Sequence, residues 1–277
     1  MLTDYHVHLR PDRRDATAAE YFTPANAERY REAASAAGIT ELGVSEHIHR
    51  FTQALKIWDH PFWREQAVDD IYSYCQFVRE ETDLRLGLEA DFVPGREDHT
   101  QNLIESCDLD YVLGSVHFVG ERAVDDDRYD IWEGGRSPEE VWRRYFETLA
   151  EAARSGLFDI LSHPDLVKIW GDPQRLPSGD LRRYYEPALE AIAESGIAVE
   201  VSTAGIRKPV AELYPSREFL EGCLEAGAPL ALSSDAHLPE HVGYGYDAAL
   251  ELFESLGVAE LATFELRTRR LEAIGAA

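Results

Sequence analysis

Seven short apolar runs rich in β-branched residues, at 2–8, 41–47, 84–91, 111–118, 158–163, 197–203 and 229–237, alternate with segments of helical period along this 277-residue chain. Strands separated by helices are the pattern of βα units, whose strands pair in parallel within one sheet. The helices carry start and stop signals. Thr23-Pro24 and Ser137-Pro138-Glu139-Glu140 put a capping hydroxyl before a proline at the first helical position, and the second adds acidic residues in the first turn. Gly38, Gly156, Gly196 and Gly227 each fall just before a strand run, where a helix ending in left-handed geometry calls for glycine. Residues 261–274 mix charged and apolar side chains and read as strand or as helix.

With 44% hydrophobic residues the chain buries a full core unaided. No low-complexity tract, Ser/Gly linker or repeat interrupts the pattern, so residues 1–277 are expected to form one domain. Seven βα units in one domain of this size predict an α/β barrel.

Potential metal ligands sit where such a barrel concentrates chemistry. His6 and His8 end the first run, His47 the second, Glu89 lies near the end of the third, and His117, His163, and Asp235 with His237 end the fourth, fifth and seventh. The C-terminal ends of barrel strands converge on one face, so residues spread along the sequence meet in space. His6-x-His8 and Asp235-x-His237 place paired donors on one side of a strand, because side chains alternate with period two. Imidazoles and carboxylates together suit zinc, iron or manganese, and Glu89 is placed to bridge two ions.

Composition narrows the partners. A net charge of −25 disfavours nucleic acid and anionic lipid, which are bound largely through Lys and Arg. Bound dications reverse the potential locally, so a small phosphorylated substrate stays compatible with an acidic surface. Cys75, Cys107 and Cys223 lie far apart without a Cys-x-x-Cys pair, which argues against disulfides and a thiolate zinc site and for a reducing cytoplasm. The opening residues lack a basic segment followed by an apolar stretch, and no run has the roughly 18 apolar residues of a membrane span. A cytoplasmic monomer or small homo-oligomer is expected.

His6-x-His8, Ser45-Glu46-His47, Gly87-Leu88-Glu89, Gly114-Ser115-Val116-His117, Ser162-His163-Pro164 and Ser234-Asp235-Ala236-His237 resemble the motifs of the PHP (polymerase and histidinol phosphatase) family. The segment 200–209, with Tyr214-Pro215 after it, looks like the histidinol-phosphatase branch. The resemblance implies a distorted (β/α)7 TIM-like barrel holding three divalent ions, zinc, manganese or iron, at its strand C-terminal face. It implies one ion on His6, His8, Glu89 and Asp235, a second on Glu89, His117 and His163, and a third on an early-loop residue, His47 and His237. The family often has a histidine in that loop. Here the loop carries Asp15, expected as the ligand, with Asp12 and Glu20 as alternatives.

The activity implied is hydrolysis of L-histidinol phosphate, a step of histidine biosynthesis, by a hydroxide shared between two dications. Glu89 and Asp235 are the expected catalytic carboxylates, and Arg207 the catalytic cation that grips the substrate phosphate. Neither a Cys-x5-Arg loop nor a Gly-x4-Gly-Lys-Ser/Thr cradle is present to support a covalent or nucleotide-binding mechanism. Glu46 reads as a partner orienting an imidazole or as an ordinary carboxylate, and residues 125–130 read as a solvated acidic loop. Other classes stay open: a phosphatase for another small ester or phosphotyrosine, an amidohydrolase-like enzyme, or a non-catalytic metal-binding domain. Lys168 and Lys208 do not sit at a strand end, where an amidohydrolase keeps its metal-bridging lysine.

Overall fold

The structure, a computed structural model, describes residues 1–13 and 15–275. The first third of the chain forms β1 (Thr3–Asp4), α1 (Ala18–Tyr21), α2 (Pro24–Ala36), β2 (Glu41–Val44), α3 (Pro61–Gln66), α4 (Ile71–Glu81) and β3 (Arg85–Asp91). Then come α5 (Glu97–Glu105), β4 (Tyr111–Ser115), a small hairpin of β5 (Phe118–Val119) and β6 (Arg122–Ala123), α6 (Pro138–Arg154) and β7 (Ile160–Leu161). The last third holds α7 (Arg182–Ser195), β8 (Ala198–Ser202), α8 (Arg217–Glu225), β9 (Leu230–Ser233), α9 (Tyr246–Leu256), β10 (Glu260–Glu265) and β11 (Thr268–Ala273).

Seven strands pair in parallel in the order β1-β2-β3-β4-β7-β8-β9. The two ends of the sheet meet beyond the last residues of β1 and β9. There the His8 amide donates to the Ala236 carbonyl (2.8 Å) and the Ala236 amide to the His6 carbonyl (3.1 Å). The result is the nearly closed, distorted (β/α)7 barrel expected from the sequence, with one strand in each apolar run.

The helix signals act as read. Thr23 Oγ1 accepts from the Asn26 amide (3.3 Å) and Ser137 Oγ from the Glu140 amide (3.2 Å). Gly38, Gly156, Gly196 and Gly227 all take positive φ, between 64° and 79°. The long helix α6 buries Val141, Trp142, Tyr145, Phe146, Leu149, Ala152 and Ala153, a spacing that keeps one apolar stripe against the barrel and α7.

The undecided segment near the C-terminus is an antiparallel hairpin of β10 and β11. Its turn residues Leu266 and Arg267 have φ of 45° and 59°, the left-handed pair of a tight hairpin turn. Neighbours over-determine that turn: the Leu266 amide donates to Asp110 Oδ1, and the Arg267 guanidinium to Asp159 and the Leu157 carbonyl. Phe264 of the hairpin joins Tyr5, Tyr111, Leu113, Ile160, Ala198, Ala231 and Ala262 in an apolar cluster at the N-terminal end of the barrel. Tyr111 lies against Gly43 and Gly87, where an added Cβ would come within 2.3 and 2.2 Å of its ring and hydroxyl atoms. Its hydroxyl donates to the Tyr5 carbonyl at 2.6 Å, so the buried phenol is satisfied.

Candidate metal centre

Period-two alternation carries each interior row from apolar to polar as the strands run toward their C-termini. In β3 the row is Gly87, Glu89, Asp91; beginning in β4 it is Leu113, Ser115, His117; in β8 it is Ala198, Glu200, Ser202; beginning in β9 it is Ala231, Ser233, Asp235. Glu89 lies within its strand, whereas His6, His8, His47, His117, His163, Asp235 and His237 stand just past the last paired residues of theirs. Backbone bending aims two of them: His163 has φ 26° and Asp235 φ 49°, both unfavourable for non-glycine residues. Such conformations persist where surroundings impose them. Asp4 Oδ1 accepts from the Ser234 amide (3.0 Å), and the Glu200 carboxylate accepts from the His163 amide (2.5 Å), tying both bends.

Three groupings emerge, two of them around Glu89. Its Oε2 lies 3.3 Å from His6 Nε2 and 3.4 Å from His8 Nε2, and both nitrogens are 3.6 Å from Asp235 Oδ1. Its other oxygen, Oε1, faces His163 Nε2 at 3.1 Å and His117 Nε2 at 3.4 Å. One buried carboxylate thus divides its two oxygens between two sets of donors, with His47 Nδ1 also in contact with Oε2. The third group forms around Asp12, whose Oδ2 is 2.9 Å from His237 Nε2 and whose Oδ1 is 3.8 Å from His47 Nε2.

The donor set fits divalent metal ions. His6 Nε2 and His8 Nε2 are buried and lack a hydrogen-bond partner among the described residues, although buried polar atoms are nearly always paired. Donor atoms of His6, His8 and Asp235, and likewise of His6, Glu89 and His163, lie within 4.8 Å of one another, a spacing suited to one ion.

A second layer fixes the ring orientations. His6 Nδ1 pairs with Glu200 Oε1 at 2.8 Å, and His117 Nδ1 with Asp91 Oδ1 at 2.7 Å, leaving each Nε2 turned inward. Ser115 Oγ donates to Glu89 Oε1 at 2.7 Å. Burial opposes charge on His6, yet Glu200, Glu89 and Asp235 lift its pKa well above the imidazole norm; in the same way Asp91 and Glu89 outweigh burial at His117 and push it up to about 10. Burial wins at His8 and His47, holding both neutral, the form in which imidazole binds a metal.

Most of the residues expected from the sequence converge here, and two sit differently. Asp15 is 79% exposed and faces Arg13 at 3.7 Å, and Glu20 is exposed on α1; the carboxylate the loop presents to His47 and His237 is Asp12. The short step from the barrel rim at His8 explains this, since only the first loop residues stay near the strand ends. Arg207 directs Nη2 to the Ser234 and Asp235 carbonyls (2.7 and 3.0 Å), bracing the bend at Asp235, while its buried Nη1 has no hydrogen-bond partner among the described residues. Glu46 lies 3.9 Å from His8 Nδ1, too far to orient it by hydrogen bonding, and instead accepts from the Leu9 and Arg10 amides and from Arg50.

A cavity of about 80 Å³ over the ligands is lined by Glu89, His117, His163, Asp235, Asp125 and Lys208 among others. An outer cavity of about 280 Å³ shares His47, His117, Asp125 and Lys208 with it and adds Phe62, Phe118 and His49. Asp125 therefore belongs to the site wall and not to a wholly solvated loop. A larger cleft of about 510 Å³ near Arg31, Arg79 and Arg85 sits beside the strand N-termini, and its arginines are already paired with Asp83, Asp110 and Glu41.

The profile of the PHP domain matches residues 21–204, more than half of the chain. The chain belongs to the PHP domain family. The matched stretch of this PHP chain carries His47, Glu89, His117 and His163; His6, His8, Asp235 and His237 lie outside it and join the group through the fold. A protein of Deinococcus radiodurans named "Probable histidinol-phosphatase" is 35% identical over 236 residues, covering 82% of this chain and 86% of the relative. The "Histidinol-phosphatase" of Bacillus subtilis is 27% identical over 245 residues, covering 80% of this chain and 91% of the relative. The histidinol phosphate phosphatase of Lactococcus lactis, solved with zinc, L-histidinol and phosphate, superposes with a TM-score of 0.71 at 21% identity, covering 97% of this chain and 98% of that one.

Proposed function

We propose that this PHP chain is a metal-dependent phosphomonoesterase that hydrolyses L-histidinol phosphate to L-histidinol and phosphate. The observation that carries the reading is the shared carboxylate of Glu89, its two oxygens divided between two sets of inward-facing imidazoles, in a chain 35% identical to a relative named for this activity. The groups His6–His8–Glu89–Asp235, Glu89–His117–His163 and Asp12–His47–His237 are assigned to three divalent ions. Bound dications supply Lewis acidity toward the phosphate and lower the pKa of a water toward neutrality.

The protein's own groups do the rest. Glu89 fixes the spacing of the first two groups. Asp235 faces His6 and His8 and lines the chamber, and is assigned to take a proton from the attacking water. Arg207, through its unpaired Nη1, and Lys208 on the chamber wall are assigned to the phosphate oxygens. The aromatic walls Phe62 and Phe118 of the outer cavity suit the imidazole of the leaving group. The cytoplasm is the setting proposed for this biosynthetic reaction, and among the described residues no helix is long and apolar enough to cross a membrane.

The test is phosphate release from L-histidinol phosphate beside other phosphomonoesters and phosphotyrosine, on protein purified without chelator, with and without added manganese or zinc. Metal-dependent preference for histidinol phosphate supports the reading. Preference for another ester discards the substrate, and no release from any ester discards phosphatase activity.

A further inference from the structure

Asp12 is the most exposed member of the centre: it lies in the loop after His8, and its side chain is 59% exposed. A carboxylate so placed samples many rotamers unless something holds it. Behind it stands the buried ion pair of Arg50 and Glu46. Arg50 is 2% exposed and donates from Nη2 to Asp12 Oδ1, and from Nη1 to Glu46 Oε2 and the Arg10 carbonyl (2.8 Å). Glu46 is fully buried, and its Oε1 accepts from the amides of Leu9 (2.8 Å) and Arg10 (3.2 Å), the first two residues after His8.

The pair therefore grips the loop at its backbone entry and at its carboxylate. Arg10 closes the far end, donating from Nη1 to Asp69 (2.8 Å) and from Nε to the Ala16 carbonyl (3.0 Å). Because Arg50 takes Asp12 Oδ1, Oδ2 is left to face His237 Nε2 at 2.9 Å. Glu46 offsets the guanidinium charge, so Asp12 remains a net anion toward a cation.

We propose that Glu46 and Arg50 are positioning residues that preorganise Asp12 as the carboxylate ligand of the third metal ion, so that occupancy of that site depends on Arg50 although Arg50 binds no metal. Arginine suits the task because its rigid planar fork spreads donors over separate nitrogens that face Asp12 on one side and Glu46 on the other, and the compact ammonium of lysine has one nitrogen for both. The proposal rests on the three-ion reading above.

The experiment is a double-mutant cycle read by metal analysis after equilibration across a series of buffered free-zinc concentrations up to saturation, on wild type, Asp12→Ala, Arg50→Lys and the double variant, with circular dichroism to confirm folding. Wild type is expected to hold three ions per chain and D12A two. R50K keeps a positive partner for Glu46 and is expected to weaken uptake of the third ion by about 10- to 100-fold, the range for loss of an outer-layer partner. In the D12A background R50K should have no further effect on uptake. On histidinol phosphate, R50K is expected to lower kcat with a smaller change in KM. Glu46→Gln, which keeps the side-chain shape, should fall between wild type and R50K and serves as the second variant if R50K is poorly folded. Undiminished third-ion uptake in R50K and E46Q overturns the proposal, as does a further loss when R50K is added to D12A, or a wild type that holds only two ions. Metal counts need no substrate, so failure of the substrate reading is seen separately, in the ester panel.

Discussion

Gly87 and Glu89 face the same barrel interior two residues apart on β3, yet one meets an aromatic ring and the other a ring of imidazoles. The difference recurs around the barrel: Leu113 against Ser115, Ile160 against Ser162, Ala198 against Glu200, Ala231 against Ser233. The N-terminal half of the interior is filled by Tyr5, Tyr111 and Phe264 and sealed by the β10–β11 hairpin, whereas the C-terminal half concentrates buried imidazole nitrogens, among them His6 Nε2 and His8 Nε2, that have no hydrogen-bond partner among the described residues. An apolar floor gains stability from burial. A polar ceiling costs stability unless something else satisfies it. The barrel thus separates stability from chemistry by about one residue pair along each strand, and each half should fail in its own way.

Removing the bridge is the hardest test of the polar half. Glu89→Gln withdraws a charge shared by two donor sets, and kcat/KM should fall by about 10³-fold or more while circular dichroism stays unchanged. In the apolar half the expected loss is of stability: Tyr111→Ala should cost about 3–5 kcal/mol and lower Tm by roughly 10 °C, with activity per folded molecule largely kept. If Tyr111→Ala abolished activity at a temperature where the chain remains folded, the two halves would not be separable. A smaller effect is expected one layer out, where Glu200→Gln removes the negative charge facing His6 Nδ1 and should weaken metal binding by about 10- to 100-fold, read by zinc titration. The smallest concerns the surface outside both halves. With a net charge of −25, self-repulsion weakens as the Debye length drops from about 10 Å at 0.1 M to about 3 Å at 1 M salt, so Tm should rise by roughly a few degrees in sodium chloride.

The sequence exposed the polar half more fully than the floor. Strand runs ending in His or Asp are visible because barrel topology needs no further information to bring strand ends together. Glu200 and Asp91 were equally readable by period two, Asp91 standing two residues after Glu89, but a carboxylate that serves a histidine carries no motif of its own. Asp12 against Asp15 carries no sequence signal beyond its nearness to His8, since the loop is held by contacts with residues far along the chain, Arg50 on Asp12 and Asp69 on Arg10. The hairpin of residues 260–273 was hidden for a related reason: β11 is largely exposed, so its pattern lacks the alternation that marks a half-buried strand.

The most direct test of the central claim is the rate of phosphate release from L-histidinol phosphate before chelation, after metal removal by a chelator and after restoring zinc or manganese. Activity should be lost on stripping and return with the ions, with the fold retained throughout. Undiminished hydrolysis by the fully stripped protein would contradict the claim.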